Sequence, residues 1–238
     1  MNLLNIGSQI VTILIIGNGR LSHHLSHWHL LINKKHKILT WDRHQDPHAL
    51  KRYCLQATHV WLAISDVALV PFYEAKLQGY DLKVIHFSGC IHDDRMISVH
   101  PLMTFTHQLY DDEFYSKIHF SVTGCKTLNE ALPGFSNSFF QIKAEEKIFY
   151  HALCVMTGNF PQLLWTLIFN ESKKVNIPEE ALKIYLQQIT NNFCQLGKES
   201  VTGPFIRKDF DTIEKNKMAL LNSPLLSIYK TFEMEFLK

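Results

Sequence analysis

The stretch Val11–Leu25, VTILIIGNGRLSHHL, decides the fold. Val11 to Ile16 is apolar apart from Thr12 and rich in β-branched side chains, the pattern of a strand buried on both faces of a parallel sheet. It runs directly into Gly17-Asn18-Gly19-Arg20-Leu21-Ser22, and the residues after it, as far as Leu31, have helical spacing. Strand, glycine turn and helix in that order are what a dinucleotide site requires. Gly17 permits the tight turn, Gly19 lets the backbone approach a pyrophosphate, and the free N–H groups at the helix start face the anion. Ser22 replaces the third glycine of the usual fingerprint and is small enough to pack near the strand. An ordinary βα turn is the alternative for a bare G-x-G, and the flanking strand and helix favour the nucleotide. Gly17, Asn18, Gly19, Arg20 and Leu21 are therefore candidate cofactor contacts.

A chain of 238 residues has room for one large domain or two modest ones with a sizeable core. With 46% hydrophobic and 19% charged residues it is globular rather than disordered. The net charge of +2 offers no argument for a nucleic-acid partner. Five widely spaced cysteines without a C-x-x-C exclude a disulfide framework and a cysteine zinc site, and fit reduced thiols in the cytoplasm. The opening MNLLNIGSQIVTILIIG is apolar but has no basic n-region, and reads as a strand with a short lead-in, neither signal peptide nor membrane span.

Further strands are expected at Lys37–Trp41, Thr58–Ile64, Leu82–Phe87, a short one ending at Val99, Lys117–Val122 and Phe139–Lys143. Helices are expected at Pro47–Cys54 behind an Asp46 cap, from Ser65-Asp66 to Leu77, and near Thr127–Leu132. Short apolar strands alternating with helices indicate a parallel α/β sheet. From Glu145 to Lys174 the chain reads as one long helix kinked at Pro161, followed by Pro178–Leu196, Phe210–Leu221 and Pro224–Phe236. This gives a Rossmann-type domain over 1–143 and an all-helical domain over 144–238.

Asp42 stands 23 positions after Gly19, where a carboxylate normally holds the ribose 2′-OH of NAD. Arg43 and His44 beside it, with Arg20 in the glycine turn, set three cations against one acid and favour the 2′-phosphate of NADPH; Arg43 pointing into solvent is the alternative. Ser88-Gly89 follows the fourth strand at the edge where open α/β sheets bind ligands, and a hydroxyl with free N–H groups suits a substrate carboxylate; a turn serine is the alternative. His100 leaves a strand on the same edge and could donate a proton. Asn159, inside an apolar helix, needs a hydrogen-bond partner, either another helix or a substrate. Arg207 could clamp a carboxylate or brace its turn with Asp209. His23 and His27 are four apart, but no third ligand is evident and no metal is expected.

Taken in order, G-x-G-x-x-S with His24-Leu25, LAISD (62–66), HFSG (86–89), HPLMTF (100–105), Gly158-Asn159 and TGPFIRKD (202–209) form a joint pattern spanning nearly the whole chain. This pattern resembles the Rossmann-like family that carries a domain of unknown function of the 2520 type at its C-terminus, a family described as similar to F420-dependent NADP oxidoreductases. Through it the chain is similar to β-hydroxyacid dehydrogenases, 6-phosphogluconate dehydrogenases and ketopantoate reductases. The resemblance implies a 6-phosphogluconate dehydrogenase-like architecture and an NADPH-dependent reductase of a small 2-oxo acid, with ketopantoate reduction in pantothenate biosynthesis as the sharpest expectation. It places Ile64, Ser65 and Asp66 beside the cofactor and Ser88, Gly89, Thr202 and Arg207 around the substrate. It also implies a cytoplasmic homodimer through the long helix, with neither membrane nor nucleic acid as partner. In hydroxyacid dehydrogenases a lysine and an asparagine four apart serve the proton transfer; here Asn159 matches the asparagine and Val155 takes the lysine's place. His100 thus becomes the expected donor, with a water held by Asn159 second. Lys208 also departs, standing where a glycine is usual. An imine reductase of the pyrroline-carboxylate type and a non-catalytic NADP sensor are the alternatives.

Overall fold

In a computed structural model, which describes residues 11–237, the chain forms two compact units that part at Val155/Met156. The expected lead-in over residues 1–10 lies outside the described residues. The domain boundary expected at 143/144 precedes the long helix, whereas the units part within it.

The first unit is built on seven strands in the order β2-β1-β3-β4-β5-β6-β7: β1 Thr12–Ile16, β2 Lys37–Trp41, β3 His59–Leu62, β4 Lys83–His86, β5 Ile97–Pro101, β6 Phe120–Thr123 and β7 Phe139–Gln141. Every neighbouring pair is parallel except β5 and β6, which run antiparallel. The wholly parallel sheet read from the sequence thus has one reversal, because strand direction follows from the connection and leaves no trace in side-chain alternation.

β1 lies between β2 and β3, and its side chains serve both faces in turn. Ile13 and Ile15 join a core containing Trp61, Trp28, Tyr115 and Phe120, while Leu14 and Ile16 join one containing Leu50, Leu62 and Leu69. The first face is covered by α1 (Arg20–Ile32), whose Trp28 stacks on Tyr115 at 4.6 Å. The second is covered by α2 (Pro47–Cys54) and α3 (Asp66–Phe72). The Asp46 carboxylate accepts from His48 N at 2.9 Å at the start of α2, as the cap motif predicts. The helix expected to reach Leu77 is regular only to Phe72. With Pro71 withdrawing a backbone donor, the chain continues as a wide i→i+5 turn over Tyr73–Leu77, closed by Gln78 N to Tyr73 O. Two short helices complete this part, α4 (Asp112–Ser116), which sequence periodicity missed, and α5 (Leu128–Ala131).

The long helix α6 (Lys147–Ser172) begins after a 3₁₀ turn at Ala144–Glu146 and continues through Pro161. The second unit contains most of α6 with α7 (Glu179–Leu196), α8 (Pro204–Arg207), α9 (Phe210–Ala219) and α10 (Leu225–Phe236). Asp209 caps α9 by accepting from Thr212 N at 3.1 Å, as its position predicts. Lys208 just before it has φ +53°, which explains why a glycine is the usual residue there.

Candidate active site

The carboxyl ends of β1, β3, β4 and β5 lie on one edge of the sheet, because these strands run parallel. Two neighbouring regions follow on that edge.

The first is the glycine turn. Gly17 has φ +125°, and a Cβ there would lie 2.2 Å from the Ala63 carbonyl oxygen, so only glycine lets β1 turn this close to the end of β3. The Ser22 hydroxyl donates to the Gly17 carbonyl at 2.7 Å, closing the turn in which the serine replaces a glycine. A Cβ on Gly19 would meet nothing within 4 Å; this face of the α1 N-terminus is open. A groove of about 480 Å³ runs along it, lined by Gly17, Asn18, Gly19, Asp42, Arg43 and Ser65 among others. Ile64 and His44 also line it, whereas Arg20, Leu21 and Asp66 do not. The Asp42 carboxylate accepts from His44 N at 2.8 Å. Arg43 is exposed, its Nε 3.4 Å from His44 Nε2.

The second region follows β4 and β5. The Ser88 hydroxyl donates to Asp66 Oδ2 at 2.8 Å and accepts from the N–H groups of Cys90 (3.2 Å) and Ile91 (3.0 Å). The Cys90 thiol also donates to Asp66 Oδ2, at 3.2 Å. Gly89 is a platform for two imidazoles: a Cβ there would lie 2.6 Å from His151 Cδ2 and 3.3 Å from His100 Nε2. His100 Nδ1 is 2.8 Å from the Tyr150 hydroxyl. Burial, reinforced by His151 and Lys147, depresses the His100 pKa to about 4, so the ring is neutral at pH 7 and offers a hydrogen bond rather than an acidic imidazolium.

Sequence reasoning overlooked Lys147. It sought the lysine four residues before Asn159, and the buried one lies two turns earlier on the same helix. Only 1% exposed, Lys147 donates from Nζ to the Ser88 carbonyl (3.1 Å) and to Ser98 Oγ (2.5 Å), fastening the start of α6 to the ends of β4 and β5. Burial lowers its pKa to about 8, against the pull of Cys90 and Asp66. The Lys147/His151 spacing of four, on one helix face, was the signal available.

Asn159, Thr202 and Arg207 belong to the second unit. Arg207 is exposed at the end of α8 and, among the described residues, makes no ion pair within 4 Å. His23 Nε2 lies 2.7 Å from Asn18 Oδ1, and no group of three His, Cys, Asp or Glu side chains converges among the described residues.

Residues 118–235 match the family model described as "Domain of unknown function (DUF2520)". No curated protein matches the chain. Among solved structures, a candidate NADP oxidoreductase from Bacteroides fragilis is similar at 19% identity, over 96% of this chain and 98% of that one, with a TM-score of 0.75. Protein TM1727 from Thermotoga maritima is similar at 20% identity over 94% and 96%, with a TM-score of 0.70. Plasmodium falciparum pyrroline carboxylate reductase, a structure with NADP bound, is similar at 9% identity over 96% and 100%, with a TM-score of 0.54. At such identities the likeness is one of fold. Residues 118–235 are thus similar to the DUF2520 domain, and the chain shares the fold of these solved structures.

Proposed function

We propose that this protein is an NADPH-dependent oxidoreductase that reduces a C=O or C=N bond of a small organic molecule. The observation that carries this reading is the groove along Gly17–Gly19: a glycine turn held against Ala63, an open helix N-terminus for a pyrophosphate, and Arg43 and His44 on the wall where a 2′-phosphate would lie. Asp42 Oδ1 accepts from the His44 amide, which holds the carboxylate beside Arg43 and His44 on the same wall. The nicotinamide supplies the hydride; the chain's own residues bind, orient and polarise. Solved structures of the same fold include a candidate NADP oxidoreductase and a pyrroline carboxylate reductase with NADP bound, in keeping with this assignment.

Two substrates follow from the sequence, ketopantoate and a pyrroline-type imine. For the first, His100 is the group of the sheet unit that would polarise a carbonyl, and within the second unit Arg207 is an exposed cation with which a carboxylate could pair. Incubation with NADPH and a panel of 2-oxo acids and cyclic imines, followed by the loss of the cofactor's near-ultraviolet absorbance, tests the reading. NADPH bound tightly but never oxidised would make the protein a sensor instead.

We further propose a cytoplasmic homodimer formed through α6. Phe149, Leu153, Met156, Phe160 and Leu163 are all exposed and follow the 4-3-4-3 spacing of a helix–helix seam. The stretch Ala144–Val175 is also long and apolar enough to cross a membrane by length and composition. Sedimentation as a dimer without detergent supports the seam; partition into lipid vesicles would refute it.

A further inference from the structure

We propose that the sheet edge at Asp66 receives a substrate whose reacting carbon is bonded to a protonated nitrogen, an iminium ion, and that Asp66 is the residue that binds this cation. The inference rests on the reductase reading above and narrows it.

A substrate carboxylate at Ser88 needs free donors, and the Ser88 hydroxyl and the Cys90 and Ile91 amides are spent. A serine hydroxyl has one proton to give and two lone pairs to offer. The Ser88 proton goes to Asp66, and its lone pairs are taken by the amides of Cys90 and Ile91, which removes those two N–H groups from the inventory as well. The Cys90 thiol also points to Asp66. What the edge presents is therefore an acceptor, and a negatively charged one. Both of these donors converge on Oδ2, so Oδ1 retains its capacity to accept. Asp66 is half-buried and adjoins Ser65, which lines the cofactor groove. Lys147, whose charge interacts with Asp66, bonds to the carbonyl rather than the hydroxyl of Ser88 and is 1% exposed, so its Nζ is withdrawn from any ligand arriving at the surface. His86 and His100 also adjoin Asp66; burial depresses both to about 4, and neither supplies a compensating charge at pH 7.

The same arrangement suits the chemistry. Reduction of a carbonyl requires a proton for the developing alkoxide, and the histidine expected to give it is neutral here. An iminium ion brings its own proton. Hydride from NADPH forms the new C–H bond, the C=N π pair becomes the lone pair on nitrogen, the cationic substrate leaves as a neutral amine, and NADPH becomes NADP⁺. No proton is drawn from the protein. A carboxylate beside the cation stabilises the reactive, protonated form of the imine.

The test uses the full chain with NADPH and three probes: 1-pyrroline, N-methyl-1-pyrrolinium and ketopantoate. Both nitrogen compounds should be reduced with kcat/KM about 100-fold or more above ketopantoate. The rate with 1-pyrroline should fall as pH rises above that compound's own pKa, and the rate with N-methyl-1-pyrrolinium, which has no proton to lose, should not. Asp66→Asn should lower kcat/KM for N-methyl-1-pyrrolinium about 10–100-fold, with NADPH affinity unchanged and partial recovery in Asp66→Glu. Ketopantoate turned over as well as the imines, or an Asp66→Asn enzyme unimpaired on the pyrrolinium, would overturn the proposal while leaving the reductase reading intact. NADPH oxidation with none of the panel, or no NADPH binding, would overturn both.

Discussion

Acid should unfold this protein through two histidines that have no room for a proton. His29 and His86 are 0% exposed. Among the described residues neither ring nitrogen of His29 has a hydrogen-bond partner, and His86 Nε2 has none. Burial holds both rings at about 4, with His36, stacked 5.2 Å from His29, adding like-charge repulsion to the first and Lys147 to the second. In the unfolded chain each ring titrates near its ordinary value of about 6.5. Below that pH the unfolded state binds protons that the folded state refuses. The histidines' contribution is therefore complete above about 6.5, falls as the pH drops toward about 4, and then levels off. Between pH 7 and pH 5 the loss comes to about 2 kcal/mol for each ring, and about 4 kcal/mol for the pair. That is a large part of the 5–15 kcal/mol typical of a folded domain. Urea unfolding followed by tryptophan fluorescence reads it directly, since Trp28 and Trp61 are buried beside His29. His100, which burial also holds at about 4, adds about 2 kcal/mol more, so with an m-value of about 2 kcal/mol/M the midpoint should drop by about 3 M between the two pH values. His29→Phe removes one of the three titrating rings and should retain about two-thirds of the drop. An equal drop in variant and wild type, or none in the wild type, would refute the reasoning.

Arg43→Ala should weaken NADPH about 10–100-fold and leave NADH nearly unaffected, since only the former carries the 2′-phosphate; titration calorimetry showing equal losses would return the assignment to Asp42 and NAD. Gly17→Ala places a Cβ against the Ala63 carbonyl at positive φ and should destabilise the sheet unit by about 2 kcal/mol or more, read as a lower thermal midpoint. Because His100 titrates near 4, His100→Ala should leave the pH profile of kcat/KM unchanged in shape between about pH 5.5 and 8, and the loss of a limb in that range would show the ring to be the titrating acid. Lys147 is depressed to about 8 from the usual 10.5, so above pH 8 the folded state releases a proton that the unfolded chain keeps, and stability from this group rises with pH up to about 10.5. Lys147→Met should abolish that rise, measured as the difference in thermal midpoint between pH 8 and pH 9.5.

The sheet was legible because its signals are local. The β-branched run Thr12–Ile16, the glycines at 17 and 19, and the Asp46 and Asp209 caps each act within a few residues, and all appear where the pattern set them. The place of the candidate site followed as well, since parallel strands bring residues 17, 64–66, 88–90 and 100 to one edge by topology alone. What a side chain does there depends on partners distant in the chain, and periodicity carries no record of them. Ser88 could be read as an anion ligand until Asp66, 22 residues earlier, was seen to take its proton. His100 could be read as an acid until Tyr150, 50 residues on, was found against its ring and burial was found to keep it neutral. Lys147 was invisible as a core residue because lysine is almost always exposed, and only the acceptors at Ser88 and Ser98 make its burial affordable. The reversal of β6 against β5 was likewise decided by tertiary pairing, since a strand shows the same alternation whichever way it runs.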